Sequence, residues 1–393
     1  MPNPFCLGIG VVERKYRMIP VRYAAVLAML ALVACGPATA TVPQVTPTEP
    51  LATVEAVGIK VTQEPAPFPL SEPGRYHAGK RSSVFEDPSR SNRQVGITVW
   101  YPAVRPAGSS GTPLQVGVNR EPDRSGAPYP LILSPIPTAR IFAPCVISHG
   151  FTWASIDAID TYSPMSEQAV IQPLDILFAL RRVASSPLEG LEGMIDAESA
   201  GAIGYSFDGY NALAVSGARV NPEFYLAQCA DPDAKEQTSL STFFCAPAGA
   251  WDEFAAHAGE AITSSEDGLW QPMTDERIRA VMPMAGFGWW LFGRRGLAAV
   301  DRPTLILVGT QDTLYPENTL IFEHLGTPDK ALISFVGLTH AMASDEETAG
   351  RMARFAVAFF GCHLQGREDL CRYFSEDFVA QHDDLAWGVY PGE

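Results

Sequence analysis

Along most of this chain, short apolar runs alternate with stretches of helical spacing. Val95-Gly96-Ile97-Thr98-Val99-Trp100-Tyr101 alternates as a strand does and stops at Pro102. Pro130-Leu131-Ile132-Leu133-Ser134 is short and wholly apolar at its centre, the pattern of a strand buried on both faces. Ile141 to Gly150 predicts a helix closed by a glycine, and Phe151-Thr152-Trp153-Ala154-Ser155-Ile156-Asp157 the next strand. A helix is expected to start at Pro173, with Leu174, Leu177, Phe178 and Ala179 on its apolar side. Further strands are predicted at Ala200-Gly201-Ala202-Ile203, at 278–284, at 303–309 and at 331–336, and an amphipathic helix over about 346–361. Between the helix after residue 209 and the strand at 278 the pattern breaks down. That segment, 219–276, carries Phe224, Tyr225, Phe243, Phe244, Trp251, Phe254 and Trp270. From about residue 75, strand-helix-strand alternation implies an α/β fold with a mostly parallel central sheet flanked by helices.

Inside that pattern, Gly204-Tyr205-Ser206-Phe207-Asp208-Gly209 joins a strand to the helical run Tyr210-Asn211-Ala212-Leu213-Ala214-Val215. A strand, a tight glycine-flanked turn and a helix are the setting of a nucleophile elbow, with Ser206 at the tip. A serine hydroxyl needs a neighbouring histidine to become a nucleophile, and the histidine needs a carboxylate to fix its tautomer. On such a fold the chain order is Ser, Asp or Glu, then His, each after a strand. Asp312, in Gly309-Thr310-Gln311-Asp312-Thr313, follows the strand at 303–309. His340, in Gly337-Leu338-Thr339-His340-Ala341, follows the strand at 331–336. The other histidines fit worse: His324 falls in a helix, His363 and His382 lie beyond the last strand, and His149 and His257 read as packing or surface residues.

With Ser206, Asp312 and His340 in place, the region from about 76 to 393 resembles the dienelactone hydrolase-like α/β-hydrolases. It is more closely similar to serine esterases of the platelet-activating-factor acetylhydrolase and bacterial cutinase-like type. Val99-Trp100-Tyr101-Pro102-Ala103, Pro173-Leu174-Asp175-Ile176-Leu177 and Ile203-Gly204-Tyr205-Ser206-Phe207 carry the resemblance. It implies an α/β-hydrolase fold, segment 219–276 acting as a cap, and carboxylic esters as substrates. Dienelactone hydrolases use a cysteine nucleophile, and the serine here shifts the expectation from dienelactones to general esters. The oxyanion hole is expected from the Phe207 N–H and from the segment Ser134-Pro135-Ile136-Pro137-Thr138; prolines have no N–H, which leaves Ile136 or Thr138. His149-Gly150 is excluded from that role because it ends a helix. The family usually has glycine where this chain has Asp208. That carboxylate either caps a helix N-terminus or acts on the site, by reshaping it or by raising the His340 pKa. Phe287, Trp289 and Trp290 are the candidate wall of an acyl pocket, packing beneath the cap being the alternative. A peptidase using the same three residues, or a binding protein that kept the fold and lost the hole, remains open.

Composition bounds the rest. The 393 residues are 47% hydrophobic and 18% charged, ordinary for a globular enzyme. Arg14, Lys15, Arg17 and Arg22 precede the uncharged run 24–34, which has the layout of a secretion signal; Met18 is an alternative start. Leu32-Val33-Ala34-Cys35 resembles a bacterial lipobox, so residues 1–35 are expected to be removed and Cys35 lipidated, a plain secretion signal being the alternative. The Thr/Pro-rich stretch 36–74 reads as a tether, and 75–393 as the hydrolase domain. Residues 1–35 hold four basic and one acidic side chain, so their removal takes the formal charge from −16 to −19. Such an acidic surface argues against nucleic acid and against broad contact with anionic lipid. Membrane contact is therefore expected only through the anchor. Nearest-neighbour pairing of the remaining cysteines joins Cys229 to Cys245 and Cys362 to Cys371, with Cys145 a buried thiol; all five free is the alternative. No cysteine-histidine spacing suggests a metal site, and the chemistry needs no cofactor.

Overall fold

The computed structural model describes residues 70, 72–105, 114–157, 165–231 and 241–392. The expected signal, the Cys35 lipidation site and all but the end of the tether lie outside these residues. Ten strands form one sheet: β1 (His77–Asp87), β2 (Arg93–Ala103), β3 (Val116–Val118), β4 (Tyr129–Pro135), β5 (Thr152–Ile156), β6 (Ile195–Tyr205), β7 (Ile278–Met284), β8 (Thr304–Gly309), β9 (Lys330–Phe335) and β10 (Leu385–Trp387). Their order is β10-β9-β8-β7-β6-β4-β5-β2-β1-β3. The central run from β5 to β9 is parallel, and β2 and β10 close it antiparallel. Leu131, Ile132 and Leu133 of β4 and Leu305 to Val308 of β8 are fully buried, as both-face coverage requires. The fold is thus α/β, with a largely parallel sheet flanked by helices.

The helices that matter here are α1 (Ile136–Ser148), α2 (Gln168–Ser185), α3 (Phe207–Ala214), α4 (Pro222–Ala230), α5 (Trp289–Leu297), α6 (Tyr315–His324) and α7 (Glu346–Leu364). The chain steps from β4 outward to β5 through α1, then back past β4 to β6 through α2. Right-handed crossovers in opposite directions put α1 and α2 on opposite faces. In keeping with this, α1 packs on α7, and α2 packs on α3. The strand order thus reverses between β4 and β6, the kind of switch point at whose carboxyl ends open α/β sheets bind ligands.

Two predicted boundaries move. Helix α1 begins at Ile136, not Ile141: Pro135 is its N-cap and Pro137 lies in its first turn, where a missing N–H costs nothing. Helix α2 begins at Gln168, five residues before Pro173, which lies inside the helix. The proline leaves the Ala169 carbonyl without its intrahelical donor, and the buried Tyr210 hydroxyl of α3 donates to that oxygen at 2.7 Å. Segment 219–276 is less irregular than expected. It contains α4 and short helical turns at Ser241–Phe244, Trp251–Ala256 and Glu260–Thr263. Strands β1, β3 and β10, which the hydrophobic pattern did not mark, extend the two edges.

Candidate active site

Ser206 sits between β6 and α3 at φ 60°, ψ −120°, a backbone conformation that disfavours any side chain. The surroundings hold it there. Its N–H donates to the Met284 carbonyl at 2.9 Å, and its own carbonyl accepts from Gly209 N–H at 2.9 Å. A Cβ on Gly204 would run into the Asp208 carbonyl, and one on Gly209 would lie 2.8 Å from the Gly286 Cα. Both glycines are therefore required by close backbone approach.

Asp312 lies in the turn after β8 and His340 in the turn after β9. The structure brings the three residues together. His340 Nδ1 is 2.8 Å from Asp312 Oδ2, and His340 Nε2 is 2.9 Å from Ser206 Oγ. The Asp312 side chain is fully buried, and its other oxygen accepts from Leu314 N–H at 2.8 Å. A buried carboxylate at Nδ1 holds a proton there, leaving the Nε2 lone pair aimed at the serine hydroxyl. The His340 side chain keeps 39% of its surface, and Ser206 is half-buried. Tyr205, to which the elbow motif gave no role of its own, reaches the same histidine. Its hydroxyl donates to the His340 carbonyl, and its ring faces the imidazole at 5.5 Å and 30°.

Two helices begin beside Ser206. Phe207 is the first residue of α3 and Ile136 the first of α1, so each backbone N–H belongs to a helix N-terminus, where negative charge is favoured. The other donor named from sequence, Thr138, is committed: its N–H donates to Asp208 Oδ2 at 3.2 Å and its hydroxyl to the same oxygen at 2.6 Å. Asp208, in the first turn of α3, thus accepts from the first turn of the other helix, α1.

Phe287 and Trp290 are buried in an aromatic cluster. Phe287 meets Phe207 at 5.5 Å and Phe244 at 5.1 Å, and Trp290 meets Phe244 at 5.7 Å. Trp289 is half-buried between Phe224 and His324. Cys245, next to Phe244, is disulfide-bonded to Cys229 of α4, and Cys362 to Cys371; Cys145 is a buried thiol in α1. Glu317 of α6 is buried where α5 begins: it accepts the Gly288 N–H at 2.9 Å and also bonds the Trp289 and Trp290 N–H groups. Burial outweighs these donors and pushes its pKa up to about 7.

Among the described residues no group of three or more His, Cys, Asp or Glu side chains is placed to hold a metal, and no helix is long and apolar enough to cross a membrane. No protein-family model and no curated protein sequence matches the chain.

Proposed function

We propose that this protein is a serine hydrolase of carboxylic esters, built on an α/β-hydrolase fold with segment 219–276 as its cap. The observation that carries the reading is the unbroken chain from Asp312 through His340 to Ser206, at 2.8 and 2.9 Å, ending on a serine in strained backbone at the carboxyl end of β6. Ser206 Oγ attacks the acyl carbon while His340 Nε2 takes its proton. Asp312 stays ionised and stabilises the imidazolium. The N–H groups of Phe207 and Ile136 receive the oxyanion. Collapse expels the alcohol with the proton from His340, and water repeats the sequence to free the acid. Neither metal nor organic cofactor enters these steps. Segment 219–276, as a cap, favours small or lipid-like esters over bulk polymers. The two disulfides support an extracytoplasmic setting. The lipobox-like sequence makes Cys35 the proposed anchor.

Hydrolysis of p-nitrophenyl esters from acetate to palmitate, wild type beside Ser206→Ala, tests the reading. Activity is expected in the wild type and its loss in the variant, with the preferred chain length sizing the acyl pocket. A folded wild type inactive at every length overturns it. One observation favours the second reading, a binding protein without catalysis: Pro137 has no N–H and that of Thr138 is taken by Asp208. A fluorophosphonate probe separates the two, because it labels Ser206 only if the serine is activated.

A further inference from the structure

Asp208 stands where the resembled esterases carry glycine, and it is 2% exposed. A buried carboxylate is retained only with strong partners, and both of the donors given above come from Thr138. Thr138 does more than receive a cap. Its Oγ1 also accepts the Tyr205 N–H at 3.1 Å. One threonine in the first turn of α1 is therefore bound to the residue before Ser206 and to the second residue after it. Capping α1 explains the bond from Thr138 N–H to Asp208. It does not explain a hydroxyl that reaches across to the strand end carrying the serine. The clamp ties two helix N-termini, far apart in sequence, into one rigid unit. In that first turn, Pro137 has no N–H and Thr138 has spent its own, which leaves Ile136 as the donor.

We propose that Asp208 and Thr138 are positioning residues for the oxyanion hole, holding the Ile136 N–H where charge develops on the substrate. The proposal rests on the esterase reading above. The carboxylate acts through the threonine, and its charge sits on the first turn of α1.

Kinetics on p-nitrophenyl butyrate with Thr138→Val, Thr138→Ser and Asp208→Asn test it. Misplacing an oxyanion donor acts on the transition state, so Thr138→Val is expected to lower kcat by about 10- to 100-fold while KM stays within about twofold. Thr138→Ser, which restores the hydroxyl, is expected to recover most of that loss, and Asp208→Asn to fall between. An active wild type with Thr138→Val unchanged overturns the clamp alone. A loss in Thr138→Val that raises KM as much as it lowers kcat, and that serine does not rescue, also overturns it, because a mere cap behaves so. An inactive wild type overturns the esterase reading and the clamp together. If Thr138→Val does not fold, the crystal structure of the phosphonate-labelled wild type decides. The phosphoryl oxygen is expected within about 3.2 Å of Ile136 N, and its placement elsewhere overturns the proposal.

Discussion

The two ends of the sheet each hold a histidine, and chemistry is equipped at one end alone. At the carboxyl end, His340 has a buried carboxylate on one nitrogen and a serine hydroxyl on the other. At the amino end, His149 follows α1 beside an open cleft of about 620 Å³, lined among others by Arg75, Tyr129, Asp196, Gln365 and Arg367. Its Nε2 is buried without a hydrogen-bond partner. Burial, and then the charge of Arg367, push its pKa down to about 4. An imidazole becomes a base when a carboxylate stabilises its cation; burial beside a guanidinium does the reverse. The backbone differs too. Ser206 and Ala285, at the carboxyl ends of β6 and β7, are both held at positive φ, the kind of strain that collects at functional sites.

The harshest test of this contrast exchanges the histidines' importance. His340→Ala is expected to lower kcat on p-nitrophenyl butyrate by at least about 10³-fold. His149→Gln, at the unequipped end, is expected to leave kcat within about twofold. Equal losses in the two variants, both folded, break the comparison.

A second test is thermodynamic and sets His149 against Glu317, the buried acid at the carboxyl end. The folded state refuses a proton at His149 that the unfolded chain accepts below its ordinary pKa of 6.5. Stability from this group is complete above pH 6.5 and is lost as pH falls toward 4. The folded state keeps a proton on Glu317 that the unfolded chain releases above 4.5. Its contribution is therefore complete below pH 4.5 and is lost as pH rises through 7. Each slope is about 1.4 kcal/mol per pH unit, or about 3 kcal/mol over its window. Between pH 4.5 and 6.5 the two oppose each other in the wild type. Urea unfolding across that range is expected to show His149→Gln losing stability with rising pH, relative to wild type, and Glu317→Gln gaining it. Three parallel curves break the prediction.

What the sequence disclosed follows a physical division. Strands β4, β7, β8 and β9 are legible because strands covered on both faces are continuous apolar runs. Asp312 and His340 are legible because each follows such a run, and Ser206 because its glycine-flanked turn joins a small apolar segment to a helical run. What stayed hidden depends on partners distant in the chain. Pro173 reads locally as a helix start; only the Tyr210 hydroxyl, folded against α2, makes it tolerable inside one. Ser134-Pro135-Ile136-Pro137 reads as a turn, yet it runs from the end of β4 into α1, which is capped by a carboxylate 70 residues later. Polar β1, His77–Asp87, pairs along its whole length with β2, one strand in from the sheet's edge, and needs no apolar run to do so. Tyr205 lies inside the elbow motif, yet its role was hidden, because its hydroxyl finds the His340 carbonyl through the fold alone.

Tyr205 supplies the finest test of what distinguishes the two ends. His149 is held by its place in a helix end, whereas His340 lies in a turn, partly exposed, and must be kept on line with Ser206. Asp312 holds one ring nitrogen, and the Tyr205 hydroxyl holds the backbone of the same residue. Tyr205→Phe keeps the ring that faces the imidazole and removes the hydroxyl, and with it the bonds to the backbone of His340 and of Ala343. A single net hydrogen bond is worth about 1 kcal/mol, and a fraction of it lost as histidine order corresponds to a fall in kcat of about three- to tenfold, with KM nearly unchanged. Tyr205→Ala, which removes the ring as well, is expected to fall further. If Tyr205→Phe matches the wild type in kcat, the turn after β9 holds His340 unaided. The advantage of the carboxyl end would then rest on Asp312 alone.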